Sequence, residues 1–220
     1  MRALFFDVFG TCVNWRTSIR RELRARGLPE ELADEWRALY QPQLETVRSG
    51  AREWVDLDVL HREALDRLLR EHGLTAADPD ELTRAWHRLD PWPDTVPGLS
   101  RLKARYIVAP CSNGHIALSV NLARHAGLPW DVILGAEIAR AYKPQPEAYL
   151  ASAAALKLPP SEIAMVAAHN GDLRAAQALG FVTAFVPRPS EHGPGQTGDL
   201  EPEGDWDVVA ADFLELAERL

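Results

Sequence analysis

The sequence predicts an α/β fold, a doubly wound parallel sheet carrying an inserted helical cap. Three observations predict it. A short, wholly apolar run opens the chain; helix-spaced segments alternate with short apolar runs from about residue 92 onward; and the block between carries helical spacing with almost no strand signal. Residues 1–14 and 92–220 are accordingly assigned to the α/β core and residues 15–91 to the cap.

Ala3 to Phe6 is apolar and gives way to the turn sequence Asp7-Val8-Phe9-Gly10-Thr11, so it reads as a buried strand with Asp7 at its carboxyl end. From about Arg16 to about His87, the stretches ELRARGL, ELADEWRALYQPQLETVRSG and DLDVLHREALDRLLREHGL place apolar residues at helical intervals. Pro91-Trp92-Pro93 and Pro97-Gly98 punctuate the return to the core. There LSRLKAR reads as a helix, Tyr106 to Ala109 as a strand, VNLARHAGL as a helix and Trp130 to Leu134 as a strand. The helix PEAYLASAAALKL precedes the strand Ile163 to Ala167, the helix DLRAAQALG and the strand Thr183 to Val186. SEHGPGQTGDLEPEGD is polar and rich in Gly and Pro, hence a surface loop before a last strand, Trp206 to Val209, and a final helix. In such a sheet ligands bind beyond the carboxyl ends of the strands. Asp7, Ser112, Lys143 and Asp172 all fall there.

A formal net charge of −8, with no Lys/Arg tract, argues against a polynucleotide partner and for a small molecule. Cys12 and Cys111 form no metal-ligand spacing and no disulfide framework, and the opening residues reach Asp7 too soon for a signal peptide. No apolar run approaches the roughly 20 residues of a membrane helix. These features set the expectation of a cytoplasmic protein with no membrane partner.

An aspartate at a strand end followed by Gly10-Thr11 suits a nucleophile held ionised, although Asp before Gly is also ordinary turn chemistry. What adds weight is the ordered set after it: Ser112-Asn113-Gly114, then Lys143-Pro144, then Asp172, each following a predicted strand. In these motifs the chain resembles the haloacid dehalogenase superfamily over essentially its whole length, and within it the (S)-2-haloacid dehalogenases. The resemblance implies a Rossmann-like core and Asp7 as a covalent nucleophile.

Phosphatases of that superfamily carry a second Asp two residues after the nucleophile, which protonates the departing oxygen; here that place holds Phe9. The first acid of their fourth motif falls at Ala168. Mg²⁺ prefers an oxygen-rich octahedral shell, so neither a metal nor another cofactor is expected. Halide needs no proton to leave, and the expected reaction is hydrolytic dehalogenation of a short 2-haloalkanoic acid. Asp7 displaces halide to form an ester, and water releases the 2-hydroxy acid. A phosphatase or other small-molecule hydrolase, or a non-catalytic relative, is the alternative.

Lys143 is expected to keep Asp7 ionised, and Asp172 to orient or activate water. Thr11, Ser112, Asn113 and the amides near Val8 and Phe9 offer donors to the substrate carboxylate or to an oxyanion. Tyr149, six residues after Lys143, matches a subfamily tyrosine. Trp36-Arg37 to Gln43-Leu44-Glu45 resembles the subfamily's halide-binding helix with three extra residues, so the halide ligand aligns to Arg37 or to Tyr40, which share one helix face. His169 stands where the subfamily has Asn and can donate or act as a base. Asn170 either orients water or caps the turn. The resemblance also implies a homodimer.

Overall fold

The computed structural model describes residues 1–220. Its main sheet has six parallel strands in the order β5-β4-β1-β6-β7-β8: β1 Ala3–Phe6, β4 Ile107–Ser112, β5 Leu134–Gly135, β6 Ile163–Ala167, β7 Val182–Phe185 and β8 Val208–Val209. The central strands are buried throughout, as the continuous apolar runs require of a sheet covered on both faces. Alternation then sorts their side chains. Phe5, Met165 and Ala167 join one core, with Tyr149 and Leu173, while Leu4, Phe6 and Val166 join the other. That second core runs unbroken into the cap through Trp15, Leu23, Trp36, Leu60 and Trp86.

The second and third strands of the fold, β2 Val13–Asn14 and β3 Asp90–Pro91, pair antiparallel where the chain leaves and rejoins the core. Between them lie α1 Trp15–Arg24, α2 Leu32–Ala38, α3 Tyr40–Arg48, α4 Leu57–Glu71, α5 Pro79–Thr83 and a 3₁₀ turn at Arg84–His87. The sequence pattern from Glu31 to Gly50 predicts one helix, yet the structure breaks it at Leu39. Pro42 has no N–H to give the carbonyl four residues earlier, so the helix restarts at Tyr40 with Pro42 in its first turn. Core helices α6 Thr95–Lys103, α7 Ile116–Ala126, α8 Ala136–Ala139, α9 Pro146–Ala155, α10 Asn170–Ala178 and α11 Phe213–Arg219 complete the fold.

Two expected strands shrink. Trp130 to Ile133 leaves the ladder, and the Asp131 side chain, at 2.9 Å, takes the Val108 amide that a strand carbonyl would have met. Likewise Asp207 binds the Thr183 amide and hydroxyl through its carboxylate, at 2.8 Å each, and only Val208–Val209 pairs as strand. Pro97-Gly98, expected as punctuation, lies inside α6, where proline fits the first turn.

Candidate active site

Asp7 follows β1 directly, at the sheet's carboxyl edge, and is buried at the wall of a cleft of about 810 Å³ between core and cap. Lys143 Nζ donates to Asp7 Oδ1 at 2.9 Å; Thr11 Oγ1 donates to Oδ2 at 2.7 Å, and His169 Nδ1 faces the same oxygen at 3.2 Å. Burial alone would push this carboxyl up, but the Lys143 ammonium and the His169 ring outweigh it and hold Asp7 well below the usual carboxylate range. Oδ1 has one hydrogen-bond partner against two on Oδ2, and is the freer oxygen for attack.

Lys143 also contacts Asp172 Oδ2, and Tyr149 donates to Asp172 Oδ1 at 2.5 Å. Burial would lower the ammonium's pKa, yet Asp172 and Asp7 reverse this and raise it well above its usual range. Asp172 itself is pushed up, by burial first and by the nearby Asp7 charge, against the pull of Lys143. Asn113 accepts from the Lys143 amide at 2.8 Å through Oδ1 and donates to the Tyr40 hydroxyl at 2.9 Å through Nδ2. This one amide fixes a cap side chain against the loop that carries Lys143. Tyr40 spends its oxygen as an acceptor there, leaving its proton free for the cleft.

Arg37, near the end of α2, and Tyr40, at the start of α3, both line the cleft although the expected single helix breaks between them. The Arg37 guanidinium lies 4.3 Å from the Tyr40 ring centroid and 5.3 Å from that of Trp15, and its Nη1 is buried with no partner. A buried cationic N–H without an acceptor is costly unless a ligand supplies one. Of the two expected candidates, Arg37 therefore carries the unmet demand for an anion.

Three expected substrate contacts need correction. The Thr11 hydroxyl is fully buried and committed to Asp7 and to the Ala168 amide, at 2.9 Å, so it positions the nucleophile. Ser112 turns away from the cleft, its hydroxyl oxygen accepting from the Gly114 amide at 3.1 Å. Val8, whose expected donor is its main-chain amide, packs its side chain into the core and is not among the three. Asn170 is buried and ties down the 199–206 segment: its Nδ2 donates to Asp199 and to the Glu201 carbonyl, and its Oδ1 accepts from Glu203 and from Trp206 Nε1 at 2.9 Å. Phe9 does line the cleft, as do Tyr149 and His169.

Glu191 was not expected at all. It lies in the segment predicted as a surface loop but is 1% exposed, accepting from Trp15 Nε1 at 2.9 Å and facing His169 Nε2 at 2.8 Å. Gly10, at φ +89°, is what lets it approach: a Cβ there would sit 2.1 Å from Glu191 Oε1. Burial lowers the His169 pKa, but Glu191 and Asp7 raise it well above the usual histidine value, so the ring is an imidazolium in the resting site. Arg188 is a second surprise, buried with a bidentate pair to Asp94 at 2.7 and 2.8 Å and donating to the Thr11 carbonyl at 2.9 Å. Only the spacing to partners far along the chain reveals either residue. Cys12 and Cys111 are buried free thiols, Cys12 donating to the Asp7 carbonyl at 3.2 Å, and burial pushes both thiol pKa values up.

Residues 1–180 match the family of haloacid dehalogenase-like hydrolases. The chain belongs to that family. This hydrolase is 32% identical over 196 residues to (S)-2-haloacid dehalogenase 1 of Pseudomonas sp. (strain CBS-3), covering 86% of this chain and 85% of the relative. Its fold superposes with a TM-score of 0.97 on a defluorinating L-2-haloacid dehalogenase, 52% identical, over 100% of this chain and 95% of the other. A further L-2-haloacid dehalogenase matches with the same TM-score of 0.97 at 50% identity, over 100% and 99% of the two chains.

Proposed function

We propose that this hydrolase removes halide from short (S)-2-haloalkanoic acids through an ester on Asp7, releasing the inverted 2-hydroxy acid. The observation that carries it is a buried, ionised Asp7 paired with Lys143, in a cleft where Phe9 replaces a leaving-group acid and Arg37 offers an unpaired guanidinium. A carboxylate attacking from behind needs the leaving anion to be received, not protonated, and a guanidinium with an open N–H does that. The dehalogenases to which the chain is similar act on 2-haloacids by name, and one of them is named as defluorinating, so fluoroacetate belongs among the substrates to test.

In the first step Asp7 Oδ1 forms a bond to the substrate's second carbon as the carbon–halogen bond breaks, and halide leaves toward Arg37. The Tyr40 hydroxyl and the main-chain amides near Val8 and Phe9 are placed to bind the substrate carboxylate. In the second step water adds to the Asp7 carboxyl carbon. Esterification removes one of the two anions that hold the proton on His169, so the ring's pKa falls when a base is needed. His169, once its excess proton has passed to solvent through the cleft, takes the water's proton while oriented by Glu191 and returns it to the oxygen of the departing 2-hydroxy acid as the ester C–O bond breaks. The proton of the new Asp7 carboxyl then restores the imidazolium, while Asp172 keeps Lys143 in place.

No metal enters this scheme. The Asp7 and Asp172 carboxylates are both engaged by Lys143, and Phe9 and Ala168 stand where further acids would be needed, leaving too few oxygens for an octahedral Mg²⁺. Cytoplasmic residence and a homodimer complete the proposal, supported respectively by two buried free thiols and by the family resemblance. No helix is long and apolar enough to cross a membrane.

Halide release from chloroacetate, fluoroacetate and each enantiomer of 2-chloropropionate, with and without EDTA, tests this beside phosphate release from p-nitrophenyl phosphate. The expected outcome is EDTA-resistant halide release, selective for the (S) substrate and reduced on the order of 10⁴-fold or more in Asp7→Asn. Phosphate release that requires Mg²⁺, without halide release, would overturn it.

A further inference from the structure

Outside the cleft, Asp58, His87 and His115 converge from different parts of the chain: the first turn of α4, the end of the 3₁₀ turn that closes the cap, and the residue before α7. One donor atom from each lies within 4.8 Å of the others. His87 Nε2 is 2.9 Å from Asp58 Oδ1, and His115 Nε2 is 3.5 Å from Asp58 Oδ2. Both histidines are buried, and none of the three residues lines the cleft.

A hydrogen-bonded cluster would explain only part of this. The His115 Nε2 contact, at 3.5 Å, is at the limit of a hydrogen bond, so this nitrogen of a buried ring is only weakly met by the protein. Tetrahedral zinc, with ligand bonds near 2.0–2.1 Å, sets its donors ~3.3 Å apart. Around the single oxygen Asp58 Oδ2, the separations to His87 Nε2 and His115 Nε2 are 3.1 and 3.5 Å, which bracket that spacing. The surroundings favour a cation as well, since Asp56 and Glu137 add negative charge beside His115. Beyond the His87 ring, the Asn121 amide lies 3.0 Å from Nδ1, where with its oxygen turned inward it would accept the proton of a metal-bound imidazole.

We propose that Asp58, His87 and His115 bind a borderline-soft divalent cation such as Zn²⁺, Co²⁺ or Ni²⁺, with water in the fourth position, as a staple between cap and core. Two imidazoles and one carboxylate suit these ions and not Mg²⁺ or Ca²⁺. The staple would act on the hinge of the cleft: His115 lies two residues from Asn113, which holds both Tyr40 and Lys143. The site is independent of the carbon–halide chemistry and stands or falls without it.

The test is a Co²⁺ titration of the EDTA-dialysed, tag-free full chain, read by the ligand-field absorption of bound Co²⁺, beside thermal melts with Zn²⁺ or Mg²⁺. One equivalent of Co²⁺ should develop the band, and saturating Zn²⁺ should raise Tm by about 3 °C or more while Mg²⁺ does not. Both responses should vanish in Asp58→Asn and in His115→Gln, and persist in His125→Gln, which removes the separate, exposed His125–Asp90 contact at 3.1 Å. A wild-type chain without band or Tm rise overturns the proposal whatever the variants do. So does a response that survives both site variants, one lost with His125→Gln, or an equal response to Mg²⁺.

Discussion

The environment of Asp7 must change when it becomes an ester. Before attack, Lys143 and His169 hold it ionised; afterwards the same two cations face a neutral carbonyl, and His169 keeps only Glu191 as an anionic partner. That separates the roles of His169 and Asp172. Replacing a general base of the second step alone slows hydrolysis by about 10²–10⁴-fold and lets the ester accumulate. Replacing Asp172 loosens Lys143, on which the first step depends. His169→Gln mixed with chloroacetate should therefore show the carboxymethyl adduct on Asp7 by intact-mass spectrometry, whereas Asp172→Asn should slow halide release without building up adduct. The reverse pattern would make Asp172 the base and His169 a prop for the nucleophile.

Among the elements, α6 and α11 pack most closely at Gly98, where a Cβ would fall 2.4 Å from Phe213 Cβ and 2.7 Å from its backbone. Phe213 in turn packs on Phe6 of β1, with ring centroids 5.4 Å apart, and sits under the Arg188 guanidinium. Gly98→Ala must therefore push α11 off the sheet. The expected cost is ~2 kcal/mol, read as a lower denaturant midpoint, against no change for Gly195→Ala, which has open space around it. A midpoint unmoved by Gly98→Ala would mean that α11 shifts freely. This contact shows where sequence reading stops. Pro97-Gly98 looks like a boundary because the chemistry of turns is local, but the reason for the glycine lies more than a hundred residues away. The strands that precede Asp7 and Asp172 are legible because burial on both faces leaves continuous apolar runs, and these two residues stand out as candidates because each comes shortly after such a run. The direction a loop side chain takes leaves no such trace, so Ser112 and Asn170 read like ligands while Glu191, in a polar Gly/Pro-rich stretch, read like surface.

At the scale of the whole molecule, the charges around Asp7 form one linked network. The carboxylates of Asp7, Asp172 and Glu191 alternate with Lys143 and His169, so each buried charge meets an opposite one. Glu191 spans it, bonded to Trp15 at the start of the cap and to His169 in the core, so cap docking and the protonation of His169 are linked. Because the folded His169 pKa lies above its ordinary value of 6.5, its contacts contribute fully below about that pH and fade as the pH rises through the raised folded value. Glu191 sets the acid limit. Burial raises its pKa, but His169 outweighs this and lowers it, so its contribution is present above 4.5 and is lost as the pH falls through the lowered value. Denaturant unfolding of wild type and His169→Gln at pH 6, 7.5, 9 and 10 should therefore show a wild-type advantage of ~3 kcal/mol at pH 6 that shrinks as the pH rises, because breaking a buried pair strands its partner only while the pair is charged. An advantage that stays constant from pH 6 to 10 would mean that His169 is neutral in the folded protein, and the charge switch on which the second step depends would have to be abandoned.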